Sequence, residues 1–380
     1  MKVVIAPDKF KSSMTARDAA TQISKGIEEI LPEAELAISP LSDGGEGLMD
    51  CLAEIFQINR RTEVVTGPGG NPINAAWAIS GDGKTAIIEM AAASGLHLLQ
   101  PEERNPKTTT TFGTGELIKA VLDEGCEILI LGIGGSATND GGAGMAQALG
   151  VKFFDSNDHL LGFGGQELIK LTRIDTSELD NRLGNIRIKV ACDVQNPLTG
   201  PEGASLIYSR QKGASDSDIE TLESALKHYA EILNKDLGID VTDIPGAGAA
   251  GGLGAGMTAF LNAELLPGIE LVLDLINFDN LIKNSTLVIT GEGKIDRQSL
   301  FGKTTIGVTK RANRYNIPVI ALAGSIEGDL DKLHDEGICA CFAIANGPMD
   351  LEESINRGPE LLYSKTKELF RFLNINLKRK

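Results

Sequence analysis

Residues 2–32 read KVVIAPDKFKSSMTARDAATQISKGIEEILP and predict one buried strand followed by one helix. The apolar run KVVIA is typical of a strand. Thr15 and Asp18 form a capping-box pattern, and apolar residues recur after them at helical spacing. Pro32 predicts the end of the helix because proline cannot continue it. Another strand, ELAISPL, and another helix follow, so this end of the chain predicts a βαβα pattern.

The C-terminal part of the sequence repeats this alternation. Its apolar runs STLVIT, IPVIALAG and ICACFAIANG alternate with helical patterns, which is typical of a parallel sheet with helices on both faces. Residues 61–89 differ, because short strand-like runs alternate there with the turn clusters GPGGNP and SGDGK. Such a pattern is typical of antiparallel ribbons.

These patterns predict an α/β protein with two unlike α/β domains. We expect residues 1–62 and 275–380 to form a doubly wound, Rossmann-like parallel sheet built from both chain ends. Residues 63–274 would form an inserted α/β domain with a mixed sheet and glycine-rich loops. The alternative is two consecutive domains divided near residue 150 or 200.

Composition excludes several classes of partner for this chain of 380 residues. Its net charge of −16 repels polyanions, so we expect no nucleic acid partner. No uncharged apolar stretch approaches the roughly 18 residues of a membrane span. The five cysteines are scattered and form no C-x-x-C pair, which predicts a reducing cytoplasmic location. The four histidines lie far apart in the sequence, so they give little support to a zinc site. Whether the chain forms a homo-oligomer stays open.

The glycine-rich segment GIGGSATNDGGAG, residues 132–144, follows an apolar run and has two functional interpretations. In the first, Gly132, Gly134 and Ala137 form a dinucleotide fingerprint, and Asp155 stands about 20 residues on as the ribose-binding acid of an NAD site. The fingerprint needs a helix that starts within it, and the sequence AsnAspGlyGly would break that helix.

The second interpretation is an anion-binding nest of backbone N–H groups. Ser136, Thr138 and Asn139 would add side-chain donors, and Asp140 would hold Mg²⁺ or orient a hydroxyl. A tight turn in which Asn and Asp only cap a helix is the structural alternative. The predicted phosphate-binding residues of this loop are Gly134, Gly135, Ser136, Thr138, Asn139 and Asp140.

Loops with charged residues follow several other predicted strands. Because the carboxyl ends of parallel strands form one edge of a sheet, we expect these loops to converge in a crevice there. Plain capping and solvated charges are the alternative. The candidates are Asp8, Lys9 and Lys11 after the first strand, Asp43, Gly44, Gly45 and Glu46 after the second, Glu292, Lys294, Asp296 and Arg297 in GEGKIDR, Lys303 at a helix start, and Asp193 after IRIKVAC.

Glycine loops, loop carboxylates and lysines together suit phosphoryl transfer. In that chemistry an Asp accepts the proton of the substrate hydroxyl, while Lys and Mg²⁺ meet the charge of the transferring group. The residues alone therefore predict a small-molecule kinase or a phosphate-binding enzyme.

Longer motifs resemble the bacterial glycerate kinases of the first type. The resemblance spans nearly the whole chain and implies transfer of the ATP γ-phosphate to D-glycerate with Mg²⁺, commonly yielding 2-phosphoglycerate. Lys9, Ser12 and Ser42 depart from it, where we expect a small residue, glycine and alanine. The motifs are APDKFKSSMTA, LSDGGEG, AIIEMAAASGL, RNPKTTTTFGTGELI, LGIGGSATNDGGAGMAQALG, ACDVQNPLTGPEGA, RQKGAS, GAAGGLGAGM, GIELVL and LVITGEGKIDRQSLFGK.

Loop position and charge type suggest a role for each candidate. Asp193 is the predicted base for the glycerate hydroxyl, and Asp8 is a further catalytic candidate. The remaining roles are Asp43 and Asp296 near Mg²⁺, Lys294 and Lys303 on the ATP phosphates, and Lys9 or Arg297 on the glycerate carboxylate. Two alternatives are an NAD-dependent oxidoreductase that uses the Gly132 loop and a non-catalytic sugar-acid-binding protein.

Overall fold

The computed structural model describes residues 1–45, 47–296 and 303–377. Its strands are β1 (Lys2–Pro7), β2 (Glu35–Ile38), β3 (Asn59–Thr66), β4 (Pro72–Ile79), β5 (Thr85–Glu89), β6 (Ile128–Gly132), β7 (Lys152–Phe154), β8 (Arg173–Asp175), β9 (Arg187–Ala191), β10 (Glu264–Leu266), β11 (Leu287–Ile295), β12 (Val319–Ile326) and β13 (Ala340–Ala343).

The α-helices are α1 (Ala16–Ile30), α2 (Leu48–Phe56), α3 (Ala91–Ser94), α4 (Phe112–Asp123), α5 (Ala143–Ala148), α6 (Ala204–Tyr208), α7 (Asp216–Leu237), α8 (Ala249–Leu261), α9 (Gly268–Leu275), α10 (Phe278–Ile282), α11 (Thr304–Asn313), α12 (Leu330–Asp335), α13 (Leu351–Asn356) and α14 (Gly358–Leu377). Short 3₁₀ helices span Leu96–Leu98, Pro101–Glu103, Gly165–Lys170, Asn181–Asn185 and Arg210–Lys212. None of the helices in the described ranges is both long and apolar enough to cross a membrane.

The chain divides into two compact units. Unit 1 comprises Met1–Asp43 and Ile269–Lys380, and unit 2 comprises Gly44–Gly268. These junctions lie earlier along the chain than the predicted boundaries at 62 and 275. The reason is packing: α2 contacts β5 and β3 pairs with β4, so both belong with unit 2, whereas α9 carries carboxylates that bind a side chain of α11 in unit 1.

Unit 1 contains a five-stranded sheet in the order β13-β12-β11-β1-β2, with every neighbouring pair parallel. This confirms the predicted parallel sheet. The chain leaves β1 toward β2 on one side and returns at β11 on the other, with Val3 opposite Leu287. The strand order therefore reverses between β1 and β11, and ligands of open α/β sheets bind beyond the carboxyl ends of strands at such a point.

Helices cover both faces of this sheet. Successive residues of β12 point to opposite faces: Ile320 and Leu322 pack into a core with α1 and α14, whereas Ala321 and Ala323 pack with α11 and α12. The predicted capping box is present at the start of α1, where the Thr15 hydroxyl accepts from the backbone N–H of Asp18. The helix ends at Ile30, just before Pro32.

Unit 2 contains a six-stranded mixed sheet in the order β10-β9-β6-β5-β4-β3. The strands β10, β9, β6 and β5 pair parallel, and β5, β4 and β3 pair antiparallel. The antiparallel ribbon predicted for residues 61–89 is thus confirmed. A separate two-stranded sheet joins β7 to β8. One core unites the mixed sheet with the surrounding helices, including Trp77, Leu131 and Tyr229.

Candidate functional site

A cavity of about 400 Å³ opens at the carboxyl edge of the unit 1 sheet. It lies at the point of strand-order reversal, because it is lined by the loop after β1, the end of β11 and the end of β12. The structure brings together there charged residues from distant parts of the sequence: Asp8, Lys9, Lys11, Asp43, Glu292, Lys294 and Lys303.

Asp8 is a buried carboxylate of this cavity, with 7% of its surface exposed; Glu292 is buried to a similar degree. One carboxylate oxygen accepts from the backbone N–H of Lys9 at 2.6 Å, and the other accepts from the hydroxyl of Thr304. Burial, and after it the charge of Asp43, raise the pKa of Asp8 to about 6, although both hydrogen bonds oppose the shift. Asp8 is therefore a stronger base than an ordinary aspartate.

The lysines of the cavity stand on different elements. Lys303 is the N-cap residue of α11. Lys294 lies on β11, where its ammonium is 2.8 Å from a carboxylate oxygen of Glu327 and 3.6 Å from one of Asp296. The hydrogen bond to Glu327 raises the pKa of Lys294. Asp296 pairs with Lys294 in this way but does not line the cavity.

The other predicted residues near these loops have different positions. Asp193 follows β9 in unit 2, is exposed, and accepts from the backbone N–H of Gly268 at 2.9 Å. Gly44 and Gly45 also belong to unit 2, and a Cβ atom on Gly44 would lie 2.4 Å from that of Ala191. The predictions for Glu46 and Arg297 fall outside the described residues.

The glycine loop of unit 2, residues 132–144, turns most of its polar side chains inward. Thr138, Asn139 and Asp140 are at most 1% exposed. The Asp140 carboxylate accepts from the backbone N–H and hydroxyl of Thr111 and from two further backbone N–H groups of its own loop. Burial raises the pKa of Asp140, while these bonds oppose the shift.

Asn139 is also engaged within unit 2, because its amide donates to Ser205 and accepts from Ser209. These side chains therefore hold the loop together within unit 2, and their contact with a ligand stays a prediction. Gly134 and Gly135 are the exposed part of the segment.

The dinucleotide interpretation of the same loop does not match the geometry. The helix after it, α5, has only six residues and begins after Gly142 in the left-handed conformation. Asp155 follows β7, which pairs antiparallel in the small separate sheet. Its carboxylate accepts from the backbone N–H groups of Asn157 and His159, so it stabilises a turn.

The sequence matches one known protein family over nearly its whole length. The Glycerate kinase family profile matches residues 3–374. The chain belongs to the glycerate kinase family. It is 52% identical over 354 residues to Glycerate 2-kinase of Escherichia coli K12, covering 93% of each chain. It is 50% identical over 367 residues to Glycerate kinase of Halalkalibacterium halodurans, covering 97% of each.

A solved structure supports the same membership of the glycerate kinase family. The crystal structure assigned to glycerate kinase 2 of Salmonella typhimurium LT2 superposes with a TM-score of 0.87 at 45% identity, and the match covers 100% of both chains. The fold prediction is therefore confirmed by a relative as well as by the sheet topology.

One departure from the family pattern has a structural counterpart. Ser12, where the resemblance led us to expect glycine, has φ 65°, in the left-handed region. Glycine adopts that region at lower cost than other residues. The backbone of this glycerate kinase family member thus keeps a glycine-type conformation without the glycine.

Sequence reasoning missed two residues that the structure places at these loops. Thr304 donates its hydroxyl hydrogen bond to Asp8, and Lys212 lies buried beneath the glycine loop. Lys212 stands in the motif RQKGAS of the glycerate kinase resemblance, and Thr304 directly follows the motif LVITGEGKIDRQSLFGK, so the resemblance was the available signal. Their roles depend on contacts between segments far apart in sequence, which spacing alone does not show.

Proposed function

We propose that this protein transfers the γ-phosphate of ATP to D-glycerate and that the product is 2-phosphoglycerate. Membership of the glycerate kinase family supports the reaction, and the name of the Escherichia coli relative, Glycerate 2-kinase, supports the product. The observation that carries the proposal is the cavity of unit 1, where lysines and carboxylates meet at the strand-order reversal.

The lysines of this cavity suit two anionic substrates. Phosphoryl transfer relies on positioning and on neutralisation of the phosphate charge. Lys294 and Lys303 would bind ATP phosphates, and Lys9 or Lys11 would bind the glycerate carboxylate. Lys294 already pairs with the carboxylate of Glu327, so a phosphate oxygen would replace one anionic partner by another.

The carboxylates of the cavity fit Mg²⁺. This ion is usually held by one or two protein carboxylates together with phosphate oxygens and water. Asp8 and Asp43 are near enough for the charge of Asp43 to raise the pKa of Asp8. Within the described ranges no three His, Cys, Asp or Glu residues form a complete metal-binding group. Asp43 would hold the Mg²⁺ ion, and the predicted part of Asp296 in binding it stays a prediction. The bound ion would neutralise charge on the phosphates.

Two carboxylates are candidates for the base that accepts the proton of the glycerate hydroxyl. Asp193 is the predicted one and stands at the carboxyl end of β9 in unit 2. Asp8 is the alternative, because a pKa of about 6 suits proton transfer near neutral pH and leaves most of the group ionised there.

One assay separates the function classes. The protein is incubated with ATP, Mg²⁺ and D-glycerate while ADP release is followed, and enolase alone is then added. We expect ADP and phosphoenolpyruvate. ADP without enolase turnover would mean that 3-phosphoglycerate is the product. Absence of ADP would contradict the kinase and leave a binding protein, whereas a glycerate-dependent change in nicotinamide absorbance would support the oxidoreductase.

Substitution Asp193→Asn tests the predicted base. We expect kcat to fall by about 10²–10⁴-fold with a folded protein, because the amide cannot accept the proton. The measurement is steady-state ADP release, with circular dichroism as the control for folding. A near-normal kcat in Asp193→Asn would mean that another group is the catalytic base, and Asp8 is the first candidate to test.

Substitution Lys294→Ala tests the phosphate role. We expect the KM for ATP to rise about tenfold, which corresponds to the loss of about one charged hydrogen bond. The KM for D-glycerate should change much less. Lys332→Ala, at an exposed position on α12, is the matched control. An unchanged KM for ATP would place the nucleotide away from Lys294.

A further inference from the structure

Lys212 is a buried lysine beneath the glycine loop of unit 2. Only 2% of its surface is exposed, and it stands at the end of the 3₁₀ helix Arg210–Lys212. Its ammonium donates to the hydroxyl oxygen of Ser136 at 2.8 Å and to the carbonyl oxygen of Thr138 at 2.6 Å. Burial of an ammonium is costly, so this position is poorly explained by folding alone.

The ammonium of Lys212 is not neutralised by an ion pair with a described carboxylate. Among the described residues, no carboxylate forms an ion pair with its ammonium. Asp140 is the opposing charge that acts on this ammonium, and its carboxylate already accepts four hydrogen bonds from the protein. Burial lowers the pKa of Lys212 to about 7, and the charge of Asp140 opposes that shift.

Ser136 links Lys212 to the exposed part of the loop. Since the Ser136 oxygen accepts from Lys212, its hydroxyl hydrogen must point toward another acceptor. The part of the chain that the structure describes supplies none for it. The same holds for the backbone N–H groups of Gly134, Gly135 and Ser136, which donate to no described protein atom. Gly135 has φ 77°, a conformation that suits glycine.

We propose that Lys212 is a positioning residue for an oxyanion site formed by the N–H groups of Gly134, Gly135 and Ser136 and by the Ser136 hydroxyl. The ammonium orients the hydroxyl outward as a donor and places positive charge behind successive N–H groups. Backbone nests of this kind bind phosphate or carboxylate oxygens. The inference rests on the proposed function, which supplies two such anions, a phosphate of ATP and the carboxylate of D-glycerate.

The test uses the full chain and compares Lys212→Met, Ser136→Ala and the double variant with the parent. Lys170→Met is the control, because Lys170 is an exposed lysine of unit 2 paired with Glu167. Titration calorimetry measures the Kd for Mg-ATP and for D-glycerate in separate arms, steady-state kinetics gives KM and kcat, and thermal denaturation gives Tm.

We expect Lys212→Met to raise the Kd for one of the two substrates, Mg-ATP or D-glycerate, at least tenfold. The kcat measured at saturation with that substrate should change less than its KM. The affected arm identifies the anion. Tm should stay within about 3 °C of the parent, because methionine fills similar volume without a buried charge. Since Lys212 acts in part through the Ser136 hydroxyl, the loss of affinity in the double variant should be smaller than the product of the two single losses.

Other outcomes decide against the inference. If folded Lys212→Met binds both anions with parental affinity, the residue is structural only. If Lys212→Met does not fold, Ser136→Ala is the deciding variant. Weaker binding of one anion by Ser136→Ala supports the oxyanion site, and parental affinity for both anions overturns it. A parent protein that binds an oxyanion at this loop but releases no ADP would contradict the proposed function while leaving the oxyanion site in place.

Discussion

At the residue scale, the burial of Asp8 costs stability when the carboxylate is ionised and also makes it a stronger base. Its pKa is raised from 3.8 to about 6, so the ionised form is disfavoured in the folded protein. A raised carboxylate pKa contributes stability that is fully present below the unfolded pKa and is lost as the pH rises through the folded pKa. Above about pH 6 the folded protein therefore carries a charge that works against its stability.

Asp8→Asn should stabilise the protein at pH 8 by up to about 2–3 kcal/mol, which is two pKa units at roughly 1.4 kcal/mol each. The amide oxygen of Asn can still accept from the backbone N–H of Lys9, and its NH₂ group can donate to the hydroxyl oxygen of Thr304 once that hydroxyl turns. The gain should vanish near pH 4, and kcat should fall if Asp8 takes part in catalysis. Denaturation at both pH values measures the effect, with Asp335→Asn, an exposed position, as the control. An equal gain at pH 4 and pH 8 would contradict the origin in ionisation.

Residue-level sequence reasoning identified the charges at strand ends and missed what depends on burial. Asp8 and Lys294 were predictable because each follows or ends an apolar run. Asn139 and Asp140 were expected to face a ligand, since polar residues among glycines are usually exposed, yet distant segments at Thr111 and Ser205 enclose them. Lys212 was missed because lysine is rarely buried.

At the scale of elements, Arg311 joins three helices of unit 1. It lies on α11 with 6% of its side chain exposed and pairs with Glu270 and Asp274 of α9 and Asp279 of α10. Its guanidinium reaches Glu270 through two nitrogens, at 2.6 and 3.0 Å. Both nitrogens donate to the same carboxylate oxygen, Oε2, while the other guanidinium contacts go to Asp274 and Asp279, so one planar group with several N–H donors serves three carboxylates.

Substitution Arg311→Met should destabilise the protein by about 2–4 kcal/mol, because it leaves three carboxylates close together without their cation. Raising the salt concentration should reduce the loss, since screening weakens the repulsion among partly exposed carboxylates. Denaturant unfolding at low and high salt measures both effects. Arg314→Met, one turn further along and exposed, is the control; equal losses in the two variants would argue against the cluster.

Sequence patterns predicted the elements better than their grouping. The capping box fixed the start of α1, and the AsnAspGlyGly run correctly indicated that no long helix follows the glycine loop. The unit junctions were harder to predict. The apolar face of α2 predicts that the helix packs against a sheet or another helix. Only its contact with β5 shows that it covers the sheet of unit 2.

At the scale of the whole molecule, unit 2 is one uninterrupted segment with its own core, Gly44–Gly268. We expect a fragment of those residues to fold alone and to show one cooperative thermal transition. Circular dichroism and calorimetry of the purified fragment are the measurements. The matched control is residues 1–43 alone, which should stay unfolded because β1 lacks β11. A fragment of unit 2 without a cooperative transition would contradict its independence.

The pairing of β1 with β11 also sets an order of events during synthesis. Val3 meets Leu287 in the finished sheet, so β1 leaves the ribosome long before its neighbour exists. At roughly 5–20 residues per second, the wait is on the order of ten seconds to a minute. During that time β1 exposes the edge that β11 later covers, and the whole of unit 2 is synthesised before β11 appears. The nascent chain therefore has its greatest need of chaperone protection at its first strand.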